Sequence, residues 1–143
     1  MKSSQRQPSI QNPQQQVLRQ NPAPQLNQPE LILQQRWEDL MEYIFPNVLE
    51  NIAKCERFVL GADIRRIMWD VEGCLIEFSF RYGNRRAQLD FVDINAKKLM
   101  AMIRLAIRLG IVPQKRHEEV AKRLAEIGRI VGGLKKTINR GRI

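Results

Sequence analysis

Residues 57–84 read RFVLGADIRRIMWDVEGCLIEFSFRYGN, and the spacing of their apolar side chains decides the fold. Leu60, Ile64, Ile67, Val71, Cys74 and Phe78 recur at intervals of 4-3-4-3-4. Positions so spaced share one side of a helix, and a seam held over about five turns is of the bundle type. Met68 and Leu75 widen the seam. Tyr82-Gly83-Asn84-Arg85 then reads as a tight turn, which makes the next helix antiparallel to this one.

Downstream, a third helix is expected from about Arg86 to Leu109, with Val92, Ala96, Leu99, Ile103 and Ala106 as its seam. Its second half is apolar nearly all round, with only Arg104 and Arg108 polar among residues 99–109. Such a helix is buried on more than one side. In a bundle this small the second cover is expected to be another subunit, reached through Met102, Leu105 and Leu109. Gly110 is a natural helix stop and Pro113 a natural helix start. The fourth helix carries Val120, Leu124, Ile127, Val131, Leu134 and Ile138, again at 4-3-4-3-4. Beside that seam run Ala121, Ala125, Gly128 and Gly132, small residues that let another helix come close.

Upstream, Trp37, Leu40, Ile44 and Val48 mark a helix from about Leu31. Pro46 should kink or end it, leaving a short helix over residues 47–53. Residues 1–29 hold nine Gln and five Pro and no acidic residue. They cannot bury enough apolar surface to offset ordering entropy and are expected to be disordered. The chain therefore reads as all-α: an antiparallel four-helix bundle over residues 30–143 behind a disordered Gln/Pro-rich tail over residues 1–29.

Charge narrows the function classes. The chain has 24 Lys and Arg against 15 Asp and Glu, a net charge of +9 and a pI near 10.2. Only Lys2, Arg6 and Arg19 precede Glu30, so the surplus belongs mainly to the body. A surplus of that size favours polyanionic partners. The two cysteines, Cys55 and Cys74, make no disulfide framework, and with one histidine, His117, no zinc site can be assembled within the chain. Reduced thiols suit a cytoplasmic protein. No signal peptide and no run long enough to span a bilayer is seen, so no membrane role is expected.

No catalytic constellation stands out. There is no Gly-rich phosphate loop. His117 lies in a solvated helix start, and Glu118 and Glu119 complement the dipole of that helix. No enzyme, no cofactor and no metal are expected. The cations are better organised. Lys97, Arg104 and Arg108 fall along one stripe of the third helix. Lys122 and Arg129 are seven apart on the fourth, with Arg123 beside them. Lys135, Lys136, Arg140 and Arg142 follow, with no acidic residue after Glu126. Such clusters neutralise phosphates, bind in a salt-dependent way and are mostly blind to base sequence. For any one of these residues, a wet helix face is an equally good account. Trp69 and Ile76 lie together off the second seam and read as extra core or, in preference, as an interface.

Three strings carry a family resemblance: Arg57-Phe58-Val59-Leu60-Gly61-Ala62-Asp63-Ile64, Leu109-Gly110-Ile111-Val112-Pro113 and Glu126-Ile127-Gly128-Arg129-Ile130-Val131-Gly132-Gly133-Leu134. In this order they resemble the accessory variability determinant (Avd) proteins of diversity-generating retroelements, over about residues 33–138. The resemblance implies a four-helix bundle assembled as a basic, ring-like homopentamer. It implies binding to the element's reverse transcriptase and template RNA, with DNA or an RNA–DNA hybrid as related ligands. It implies a non-catalytic part in the error-prone copying that feeds mutagenic retrohoming. The matching residues are Arg57, Phe58, Leu60, Gly61, Glu126, Gly128, Arg129, Gly132 and Gly133. Leu134 departs from the Trp of many relatives, and the N-terminal tail has no counterpart in the family pattern.

Two other readings stand beside it. Four-helix proteins encoded in intervening sequences of 23S ribosomal RNA carry Asn-Ile-Ala-Glu-Gly after their first helix. This chain breaks off at Asn51-Ile52-Ala53-Lys54. A basic scaffold that docks an acidic protein is the alternative with no nucleic-acid role.

Overall fold

A computed structural model describes residues 29–53 and 58–141. Four long helices make up nearly all of it: α1 (Pro29–Ile44), α2 (Phe58–Ser79), α3 (Arg85–Arg108) and α4 (Arg116–Asn139). No strand occurs among the described residues. The tail over residues 1–28, Cys55, Arg57 and Arg142 lie outside the described residues.

α1 packs against α2 and α4, and α3 closes the square by packing against the same two helices. The core is the seams read above. Trp37, Leu40, Ile44, Ile64, Met68, Val71, Leu75, Phe78, Leu99, Ile103, Val120 and Ile127 are buried in one cluster. Cys74, on the edge of the α2 seam, is half-buried. Trp37 is completely buried, and its Nε1 donates to the Met68 carbonyl across 3.0 Å, so the largest core side chain also satisfies its one polar atom.

Local chemistry sets the helix ends. At the start of α3 the Asn84 side chain accepts from the Ala87 backbone N–H at 2.9 Å, an N-cap, and Gly83 before it takes φ +83°. At its end Gly110, with φ +73°, donates to the Ile107 carbonyl, and Ile111 donates to that of Ala106. This is a Schellman ending, and the buried Ile111 supplies its hydrophobic contact. Val112 is buried too, so the connection is drawn inward before it turns. Arg116 and His117 then donate to the carbonyls of Pro113 and Gln114. Pro113 therefore sits in the turn leading into α4, and the helix itself starts at Arg116 instead of at the proline.

Pro46 does not end the first helix. The chain passes through a π-turn over Phe45–Leu49 and continues as one further turn over Glu50–Ala53. Proline removes a backbone donor, and a widened turn accommodates its ring. The Asn47 side chain donates to the Tyr43 carbonyl at 2.9 Å within this turn. Val48, Leu49 and Ile52 stay buried as a result. Gly61, in the first family string, lies against this segment. A Cβ there would sit 3.2 Å from Cγ2 of Ile52, so a larger residue would push the two apart.

Candidate nucleic-acid interface

α3 presents two chemically different sides around its buried seam. Helical phase puts Lys97, Arg104 and Arg108 on the α4 side, and Phe91, Ile94, Met102, Leu105 and Leu109 on the α2 side. The contacts agree. Lys135 of α4 reaches Asp90 and Asp93 of α3 at 2.8 and 3.5 Å, whereas Ile94 and Met102 line a groove shared with α2.

The cationic side has a defined shape. Lys97 and Met100 of α3 and Ala121, Ala125 and Gly128 of α4 line a shallow groove of about 270 Å³. Its floor is low because the α4 contribution is small side chains. Nothing lies within 4 Å of where a Cβ would be at Gly128, Gly132 or Gly133, so packing within the chain does not require these glycines. Lys122, Arg129 and Lys136 are exposed and spaced by seven, which sets them on one outward ridge of α4. Arg104 and Arg108 are exposed on α3.

The nine cations expected at this surface divide into two sets. Three are engaged by carboxylates of the same chain. Lys97 pairs with Asp93 at 3.2 Å. Arg123 pairs with Glu119 at 2.8 Å and lies over the Tyr43 ring. Lys135 bridges Asp90 and Asp93, which raises its pKa chiefly through the hydrogen bond to Asp90. The other six, Arg104, Arg108, Lys122, Arg129, Lys136 and Arg140, are exposed and have no carboxylate within salt-bridge distance among the described residues. Arg86, not singled out in the sequence, lies on the same side of α3 and donates to Oδ1 of Asn139 near the end of α4. Its signal was available: it follows Arg85 at the helix start and shares a phase with Arg104.

The opposite side of α3 is largely apolar, with Asp63, Asp70 and Glu77 of α2 beside it and Arg66 and Lys98 at the smaller of its two depressions. Trp69, 59 % exposed, stands on α2 with its ring centroid 6.3 Å from that of Phe45. Two adjoining depressions of about 630 and 540 Å³ run between α2 and α3, and Asp70 and Phe91 line both. Ile76, Ile94, Leu105 and Leu109 are large apolar residues left exposed on these two helices. The expectation that the second half of α3 is covered on more than one side is met within the chain only at Leu99, Ile103 and Ala106. Leu105 and Leu109 stay open at 48 and 55 %, and Met102 is half-buried. Phe91 and Ile94 extend the expected stripe of Met102, Leu105 and Leu109 towards the start of α3. The 91–94–98–102–105–109 spacing, broken only by Lys98, was readable as a second seam.

No group of three or more metal-ligating side chains is gathered among the described residues. No helix among them is long and apolar enough to cross a membrane. Cys74 lines the larger depression; burial and the neighbouring Glu77 push its thiol up to about 11, away from nucleophilic use.

A family model described as bAvd-like matches residues 31–138, which takes in all four helices and the three strings quoted above. No curated protein and no solved structure gives a match. With that match over most of its length, the chain belongs to the bAvd-like family of Avd-type accessory proteins.

Proposed function

We propose that this chain is a non-catalytic accessory subunit of a diversity-generating retroelement that binds template RNA and the element's reverse transcriptase, supporting mutagenic cDNA synthesis and retrohoming. Family membership supplies the setting, and one observation carries the nucleic-acid part. Six exposed cations with no acidic partner among the described residues stand on α3 and α4, flanking a groove whose own charges, Lys97 and Asp93, pair with each other. A phosphate backbone needs close approach and unspent positive charge, and this surface offers both. Exposed aromatic side chains for base stacking lie on the other side of α3, so backbone contact is the expected mode.

The apolar stripe of Leu105 and Leu109 supports self-association, with a ring-like homopentamer as the assembly the family resemblance implies. In that assembly Ile76, Gly128 and Gly132 are further candidate contacts.

RNA-binding isotherms across a salt series test the reading. A steep fall of affinity with salt, little dependence on RNA sequence, and co-purification with the transcriptase are expected. Affinity indifferent to salt, or a monomer by sedimentation at micromolar concentration, would refute it. A scaffold for an acidic protein predicts instead that charge reversal on α3 and α4 leaves RNA affinity unchanged.

A further inference from the structure

The groove between α2 and α3 plays no part in the nucleic-acid reading. Its larger depression is lined by Asp70 and Glu77 and by no cation, with Trp69 and Phe91 as apolar surface, while the smaller one adds Asp63 and Ile94 together with Arg66, 3.9 Å from Asp63, and Lys98. The side chain of Gln88, 9 % exposed, lines the larger depression, and its Oε1 has no hydrogen-bond donor among the described residues. Carboxylates beside exposed aromatic rings, together with an unsatisfied acceptor, suit a cationic, donor-rich, extended peptide.

We propose that this groove is the docking site of the chain's own N-terminal segment, residues 1–28. The segment has the complementary composition: Lys2, Arg6 and Arg19, no acidic residue, nine Gln as donors and four Pro. Proline-rich sequence is pre-organised for extended docking on aromatic surfaces. It also starts at the same end of the bundle, with Pro29 itself in the neighbouring α1/α4 groove. The segment joins the structure at Pro29, and the next residue, Glu30, pairs with Arg85 at 2.9 Å, one residue from the Asn84 that lines the groove. From Asn84 to Met102 the groove follows α3 for about 27 Å at 1.5 Å per residue. A 28-residue segment can extend roughly 90 Å. Tethering at one end of the site raises the effective concentration to about millimolar, an advantage no free partner has.

The two tryptophans make a built-in assay in the full chain. Trp37 is buried and donates to Met68, so it serves as the internal reference, while Trp69 reports on the groove. Acrylamide quenching and the two indole N–H resonances are compared between the wild type and a variant carrying Lys2→Glu, Arg6→Glu and Arg19→Glu. Release of the segment should raise the quenching of Trp69 about twofold or more and move its indole resonance, leaving that of Trp37 in place. Asp70→Lys with Glu77→Lys should release it equally, and combining both sets should restore protection. Equal quenching of Trp69 in the wild type and in the tail variant overturns the proposal. So does protection that is lost from the wild type on dilution, which would assign the groove to another copy of the chain.

Discussion

Arg85 Nη2 donates to Glu30 Oε1 at 2.9 Å, with side chains only 16 % and 5 % exposed, and so ties the first turn of α3 to the first turn of α1. Arg85 also donates to the Phe78 carbonyl and lies 4.1 Å from the centroid of the Phe78 ring, which adds the last turn of α2 to the same cluster. Burial lowers the Arg85 pKa, and Glu30 opposes that shift. The pair offsets two desolvated charges rather than adding free stability. Glu30→Gln or Arg85→Ala should therefore cost about 3 kcal/mol by urea unfolding, because each strands the other partner. Replacing both with apolar residues of similar size should cost much less.

Charge reversal at Arg104 and Arg129 should weaken RNA binding at every salt concentration. It should reduce the slope of log affinity against log salt by about 2, one for each lost phosphate contact. Thermal unfolding should hardly move, since both residues are exposed. Lys98→Glu, on the α2 side of α3, is the control and should leave the slope unchanged.

Gly128→Ala separates fold from interface. Open space surrounds the missing Cβ, so alanine should stabilise α4 by about 1 kcal/mol through helix propensity. If the small-residue floor of the α3/α4 groove admits a ligand or a neighbouring helix, the same variant should melt higher and bind or assemble less well. A variant that melts higher and binds as before would remove Gly128 from the interface.

Glu72 predicts a pH dependence. It is 8 % exposed, accepts a 3.3 Å hydrogen bond from Gln34, and leaves Oε2 without a partner among the described residues. Burial first, and Glu38 second, push its pKa up to about 7 from the ordinary 4.5. Below pH 4.5 the group is protonated both folded and unfolded and costs nothing. Between 4.5 and 7 the folded state holds a proton that the unfolded state has lost, so stability falls as pH rises, and it levels off above 7. The loss should be on the order of 2 kcal/mol between pH 4.5 and 8, measured by chemical unfolding. Glu72→Gln should flatten most of it and be the more stable protein at pH 8.

The bundle was legible because its information is periodic. Leu60, Ile64, Ile67, Val71 and Phe78 announce one side of α2 with no knowledge of what they meet. The breaks were less legible. Pro46 predicts an interruption but does not say that Val48, Leu49 and Ile52 bury enough surface to carry the helix through it. Pro113 predicts a helix start, yet the burial of Ile111 and Val112 decides where the connection turns. At the interface, charge spacing located the ridges, but pairing between helices could not be read. Lys135 meets Asp90 and Asp93 some forty positions away. The groove between α2 and α3 was missed for a related reason: Asp70 and Phe91 become neighbours only when the two helices lie side by side.

α3 has no idle side. One side fills the core, another carries cations beside α4, and a third lines the groove with α2. On an ordinary surface helix, half the positions can drift without effect. Here a substitution between Phe91 and Leu109 touches the core, the cationic side or the groove with α2. α3 should therefore be the slowest-changing segment of the molecule, and random mutagenesis should find it the least forgiving.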